Sequence, residues 1–308
     1  ALLAALPLMV NAQLEKGLVY RYDFNSSVKD NSGNGNDAKT TSITYCKGEG
    51  QLSNSAAFFD GKSSIELPNN KNSKPTLPLT ISLVLKVNDL DKIHPIYHSD
   101  VYYNNYSGFM INIHASGQIG VHIAAGLGGA GASNRRSFVT NQTISLGNWH
   151  RVTVVFKAYN DMDVYIDCVK ATGSYSGSGS TSMSYSTNSG RIGEGGANTV
   201  TPNNYFLRGS LDEIAIWERE LTLNEINNVC NNALFIESTN SKNISKIYPN
   251  PSTGLLNIEI NSFELDKLTH FIVLNVLGEI VYQSEINKSI SSIDLSALSK
   301  GIYSVILS

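Results

Sequence analysis

Between residues 18 and 217 the chain repeats one pattern: short runs of alternating apolar and polar residues, separated by clusters of Gly, Asn, Asp, Ser and Pro. Alternation with a period of two buries one face of a β-strand, and turn residues every 8–12 positions or so leave little length for helices. Leu18–Asn25, Thr80–Val87, Gly108–His114 and Gln118–Ile123 read as strands. Ala56–Leu67 reads as a β-hairpin turning at Asp60-Gly61, and Trp149–Lys170 as another turning at residues 159–161. Helix signals concentrate in Leu221–Val229, where Thr222 can cap and Glu225 completes a capping box. The expected fold is therefore all-β, a sandwich or barrel, with Trp149 and Trp217 as core residues.

The apolar run Ala1–Val10, ending in a small-residue cleavage site at Val10-Asn11-Ala12, reads as the remnant of a secretory signal peptide over residues 1–12. It is too short to span a bilayer, and no other segment is apolar for long enough to be a membrane helix. Residues 14–235 form the first domain, 236–243 a polar linker and 244–308 a second, smaller β pattern. A formal charge of −3 gives no basic footprint, which argues against nucleic acid as a partner. The three cysteines, Cys46, Cys168 and Cys230, allow one intrachain disulfide in any of three pairings.

The stretch Tyr205–Trp217 draws attention through its acids. Strict alternation sets Leu211, Glu213, Ala215 and Trp217 on one face, and Asp212 with Ile214 and Ile216 on the other. A carboxylate on an apolar face must be hydrogen-bonded, paired or neutralised by a cation. Asp212 is thus either a cation ligand or an acid held by backbone amides or by Arg208. Asp30–Asp37 begins like a calcium loop, but position twelve is Thr41 rather than a bidentate acid, so the stretch reads as a cluster of Asx turns.

Several segments together carry a resemblance: Tyr22-Asp-Phe-Asn25, Asp30–Asp37, Phe59-Asp-Gly61, Trp149–Val154, Val164–Asp167 and Gly209–Trp217. In order and spacing they resemble the laminin G-like, concanavalin A-like jelly-roll family over residues 18–232. The resemblance implies a two-sheet sandwich and a calcium ion (Ca2+) at the sheet edge, held by Asp23, the Asp60-Gly61 turn and Asp212. Cys168 stands where the family has glycine in a hairpin turn. Tyr248–Gly254, Leu277-Gly278 and Ile293–Tyr303 resemble the type A sorting domain of the type IX secretion system of Bacteroidota. That implies an immunoglobulin-like tail read by the type IX secretion machinery, and a protein secreted or held at the bacterial cell surface.

Two function classes follow. One is a calcium-stabilised binding or adhesion module for a glycan or extracellular protein, with no catalysis. Its contact surface would be the aromatic loop of Tyr97, Tyr102, Tyr103 and Tyr106, since rings stack on sugars; the same loop could instead fold onto its own sandwich. The other is a glycoside hydrolase, which needs paired carboxyls. The glucanase signature Glu-x-Asp-x-x-Glu is absent, and Asp161 with Asp163 is the nearest substitute. A structural spacer is a third possibility. His114 and His122 can meet across one hairpin, but a transition-metal site there lacks a third ligand.

Overall fold

The structure is a computed structural model. It describes residues 14–49, 55–100, 107–126, 132–179, 182–195 and 205–231 of the first unit, and 246–249, 252–259, 269–275, 279–286, 290–299, 301 and 303–307 of the second.

In the first unit the strands are β1 (Leu18–Tyr22), β2 (Lys39–Thr41), β3 (Thr44–Cys46), β4 (Ala56–Asp60), β5 (Ser64–Glu66) and β6 (Leu79–Val87). Then come β7 (His94–His98), β8 (Ser107–Ile113), β9 (Gln118–Ala125), β10 (Arg135–Thr143), β11 (His150–Ala158) and β12 (Asp161–Ile166). The last are β13 (Val169–Lys170), β14 (Gly173–Ser176), β15 (Arg191–Ile192), β16 (Glu194–Gly195), β17 (Tyr205–Phe206) and β18 (Arg208–Trp217), followed by helix α1 (Leu223–Asn231). One antiparallel sheet runs β13-β12-β11-β6-β18-β4-β3, with β1 also on β18; the other runs β14-β10-β9-β8-β7-β15-β5-β2.

Alternation explains how the sheets close on each other. Ile81, Leu83, Leu85 and Val87 of β6, Val152, Val154 and Phe156 of β11, and Ile119, Val121 and Ile123 of β9 meet in one core. Each such side chain, fully removed from water, contributes about 1.5–3 kcal/mol. The intervening residues face outward, where Ser82 and Thr153 hydrogen-bond at 2.9 Å. Part of that outer face is covered by α1, whose Ile226 and Val229 pack with Trp217, Val155 and Tyr165. The capping box forms: the Thr222 amide donates to Glu225 Oε2 at 2.8 Å, and the Glu225 amide donates to Thr222 Oγ1 at 3.3 Å.

Two expectations change, and one open choice is settled. β4 and β5 lie in different sheets, so Asp60-Gly61 is a corner between layers rather than a hairpin turn. Turn residues fix a reversal of direction, but whether the chain returns beside itself or crosses the core depends on the other strands. Trp149 is half-exposed, with Lys86 Nζ 4.9 Å above its ring, while Trp217 is buried as expected. Cys168 pairs with Cys230, which ties the β12–β13 turn to α1, and Cys46 stays free. Asp167 and Cys168 both have positive φ (48° and 71°), the backbone of a two-residue hairpin turn that glycine more often supplies.

The second unit contains β19 (Lys246–Tyr248), β20 (Leu255–Glu259), β21 (Thr269–Leu274), β22 (Ile280–Ile286), β23 (Ile290–Asp294) and β24 (Ser304–Leu307). They form two three-stranded antiparallel sheets, β19-β20-β23 and β22-β21-β24, around Ile258, Phe271, Val273 and Ile293.

Candidate functional site

The site is built by an irregularity in β18. Against β6, Leu211 pairs with Leu85 while Ile214 pairs with Leu83, so one extra residue is inserted. Such a bulge resets the alternation. Leu211, Ile214 and Ile216 therefore all face the core, and the reading that set Asp212 on the isoleucine face is overturned. On its other edge β18 changes neighbour at the same point, pairing with β4 up to Leu211 and with β1 from Ile214 onward. Asp212 and Glu213 occupy the gap between those two neighbours.

The segment after β3 closes over Asp212. The Glu49 amide donates to Asp212 Oδ2 at 2.5 Å, and the Gly48 amide donates to Ser55 Oγ at 3.1 Å. Any side chain at Gly48 would collide with both Asp212 Oδ2 and Ser55 Oγ, so the close approach requires glycine. Beside it Arg151 Nη2 lies 2.9 Å from Glu213 Oε2 and 3.9 Å from Glu49 Oε2. Burial pushes the Asp212 carboxyl up to about 6, opposed by the Glu49 amide and reinforced by the charges of Glu49 and Asp23. Burial likewise raises Glu213 to about 7, with Arg151 pulling the other way. Asp212, Glu213 and Glu49 thus share the Arg151 guanidinium, while Asp23 Oδ1 lies 3.6 Å from Arg21 Nε.

An adjoining pocket of about 250 Å³ is lined by Glu49, Arg151, Asp167, Cys168 and Cys230. Asp167 organises its rim, accepting from the Arg151 amide at 3.0 Å and lying 2.7 Å from His150 Nδ1. The Cys168–Cys230 disulfide forms part of its wall.

The calcium set implied by the family does not converge as a whole. Asp23 follows Tyr22, which pairs with Ile214, and so lies near Asp212; its Oδ2 accepts from Asn31 Nδ2 at 2.7 Å. Asp60 pairs with Arg208, four residues before Asp212, which is roughly 13 Å along a strand. Its Oδ1 accepts from the Lys62 and Ser63 amides at 2.9 and 3.0 Å, and those bonds hold its carboxyl below the usual range. Asp60 and Gly61 therefore shape their own corner, where Gly61 adopts a φ of 87° under the Arg208 side chain.

The aromatic surface also needs correction. The β7–β8 register shifts between Pro95 and Tyr97, so Ile96 and Tyr97 both enter the core. Tyr97 is fully buried, stacks on Phe109 at 5.2 Å and shares a hydrogen bond with the Tyr20 hydroxyl. Tyr102, Tyr103 and Tyr106 lie outside the described residues. Asp163 sits 2.8 Å from both Lys157 Nζ and Lys170 Nζ, whose hydrogen bonds outweigh burial and lower its pKa. His122 bonds Ser137 Oγ at 2.7 Å and burial drives its pKa down to about 3; His98, which the sequence reading passed over, bonds Asn112 Oδ1 at 2.8 Å and is lowered to about 4. One further group went unread. Asp89, Asp91 and His94 bring a ligand atom each within 4.8 Å of one another.

A two-sheet antiparallel sandwich with an acidic notch at its central strand defines a concanavalin A-like domain, and no helix among the described residues is long and apolar enough to cross a membrane. The chain belongs to the concanavalin A-like lectin/glucanases superfamily, whose laminin G model matches residues 59–227. A secretion system C-terminal sorting domain matches residues 246–308, which marks a protein exported through type IX secretion to the cell surface or outside. No curated protein sequence matches this chain. Among solved structures it is similar to botulinum neurotoxin type C, whose cell entry is dependent upon interaction with two ganglioside molecules, at 15% identity and TM-score 0.54. That match covers 86% of this chain and 58% of the toxin chain. The binding domain of Paraclostridial mosquitocidal protein 1 matches at 17% identity and TM-score 0.54, over 71% of this chain and 53% of its own. Domain 4 of AbnA, a GH43 extracellular arabinanase from Geobacillus stearothermophilus in complex with arabinotriose, matches at 19% identity and TM-score 0.49, over 69% of this chain and 98% of its own. The chain thus spans little more than half of the toxin and mosquitocidal chains.

Proposed function

We propose that this secreted chain is a calcium-stabilised binding or adhesion module that recognises carbohydrate at the cell surface without transforming it. The state of its acids carries the reading. Asp163 is neutralised by two lysines, Glu213 is paired with Arg151, and Asp212 is bonded to the Glu49 amide. Retaining hydrolysis needs two carboxyls about 5 Å apart, one free to attack and one free to donate a proton. A glycan ligand is supported by the lectin branch of the family and by the ganglioside dependence of the botulinum neurotoxin, with an extracellular protein as the other candidate. Calcium is supported by the carboxylate oxygens of Asp23 and Asp212, which β1 and β18 bring to one region and which suit a hard cation.

One observation favours hydrolysis instead. Asp212 at about 6 and Glu213 at about 7 have the proton affinity of general acids. The test is a glycan and matrix-protein array of the full chain, with and without chelator, beside a polysaccharide turnover panel. Binding that weakens in chelator, without turnover, is the expected result. Turnover lost on Asp212→Asn or Asp163→Ala would establish a hydrolase, and neither binding nor turnover would leave a structural spacer.

A further inference from the structure

We propose that Asp89, Asp91 and His94 form a site for a divalent transition-metal ion of the zinc type, separate from the acidic notch at Asp212. The six-residue connection between β6 and β7 carries both aspartates, and His94 opens β7. The Asn88 amide donates to the Arg208 carbonyl at 3.0 Å and fixes where that connection begins. His94 Nε2 then lies 2.7 Å from Asp89 Oδ1 and 3.5 Å from Asp91 Oδ1. Tetrahedral zinc with bonds near 2.05 Å holds its ligand atoms roughly 3.3 Å apart, so small side-chain shifts suffice to seat one.

The imidazole is the independent observation. His94 is 0% exposed, and neither of its ring nitrogens makes a hydrogen bond; its close contact with Asp89 lacks the alignment of one. Buried ring nitrogens are ordinarily satisfied, and this one is aimed at two carboxylate oxygens. Nitrogen with two oxygens is a ligand set that favours first-row transition ions over calcium or magnesium, which take oxygen alone. Arg208 Nη1 lies 3.5 Å from Asp89 Oδ2, the carboxylate's other oxygen, and so orients the carboxylate as an outer partner does in metal sites. Asp91 is 57% exposed, which leaves the site an entry path and a position for water or for a donor atom of a ligand.

The experiment uses the full chain, stripped of metal with chelator and dialysed. Titration calorimetry with zinc chloride, and the visible spectrum of the cobalt(II)-loaded protein, are compared for the wild type and for Asp91→Asn, His94→Gln, Arg208→Ala and Asp212→Asn. Expected are one equivalent of zinc, a tetrahedral cobalt spectrum unaffected by millimolar-scale calcium, and affinity lowered about 100-fold or more by Asp91→Asn and His94→Gln. Arg208→Ala should lower it about 10- to 100-fold, and Asp212→Asn should leave it unchanged. Asp91 is exposed, so its variant stays informative if His94→Gln fails to fold. No zinc binding to the wild type, or binding that survives Asp91→Asn undiminished, overturns the assignment.

Discussion

Arg151 Nη2 and Glu213 Oε2 are 2.9 Å apart, and neither side chain is more than a tenth exposed. The pair joins the bulge of β18 to β11 across β6, on the face of the sheet away from the core. Removing the guanidinium leaves a buried acid without its counter-charge, which costs about 3–5 kcal/mol in comparable cases. Arg151→Met should therefore lose stability of that order at pH 8, measured by urea unfolding. The loss should shrink toward pH 6, because an unpaired Glu213 protonates more readily still.

Asp212 and Glu213 have folded pKa values above their ordinary ones, at about 6 and about 7. The folded state therefore binds more protons than the unfolded chain between pH 4 and 7, roughly, and these acids favour folding most at the acidic end. Their contribution is lost as pH rises through 6 to 7. Without divalent ions, Asp212→Asn should stabilise the protein by roughly 1–2 kcal/mol at pH 8 and reduce the fall of its melting temperature between pH 5 and 7 to the part that Glu213 causes. Calcium should raise the wild-type melting temperature more at pH 8 than at pH 5.5, and hardly at all in the variant. Equal calcium effects in both proteins would remove Asp212 from any calcium site.

The Cys168–Cys230 bridge closes a sequence separation of 62. Loop-closure entropy assigns such a link about 4 kcal/mol. Replacing both cysteines with serine should lower stability by several kcal/mol in chemical denaturation, with α1 the first element to lose amide-exchange protection. An unchanged unfolding midpoint would show that α1 is held by Trp217 and its apolar neighbours alone.

Tyr97 tests whether its side chain serves the core or a ligand. Tyr97→Phe deprives the buried Tyr20 hydroxyl of its partner and should cost about 1–3 kcal/mol. Glycan binding should be unaffected. A variant that keeps its stability but loses binding would return Tyr97 to the contact surface.

Much of the fold was legible in local pattern. Alternation marks β6, β8, β9 and β11 because one face of each meets the opposing sheet, and the Thr222–Glu225 box marks the start of α1 because both partners lie within four residues. The Asx turns of Asp30–Asp37 were legible for the same reason, with Asp30 Oδ1 accepting from the Ser32 amide at 2.9 Å. The candidate sites were less so. Asp23 and Asp212 lie near each other through the β1–β18 pairing, whereas Asp60, grouped with them in the sequence, lies one corner away.

Sequence by itself determined that the chain is built of short strands, marking β1, β6, β8, β9, β11 and β12, and that one polar stretch divides two β patterns, since these follow from side-chain period and backbone preference within a few residues. Tertiary structure alone decided the bulge at Asp212-Glu213, the inward turn of Tyr97, the partner of Cys168 and the meeting of Asp89 with His94. Each of those depends on which strand lies alongside, and strand pairing is settled by packing across the whole sandwich. No local periodicity encodes where β4 gives way to β1, yet that change of neighbour is what gathers the acids around Arg151.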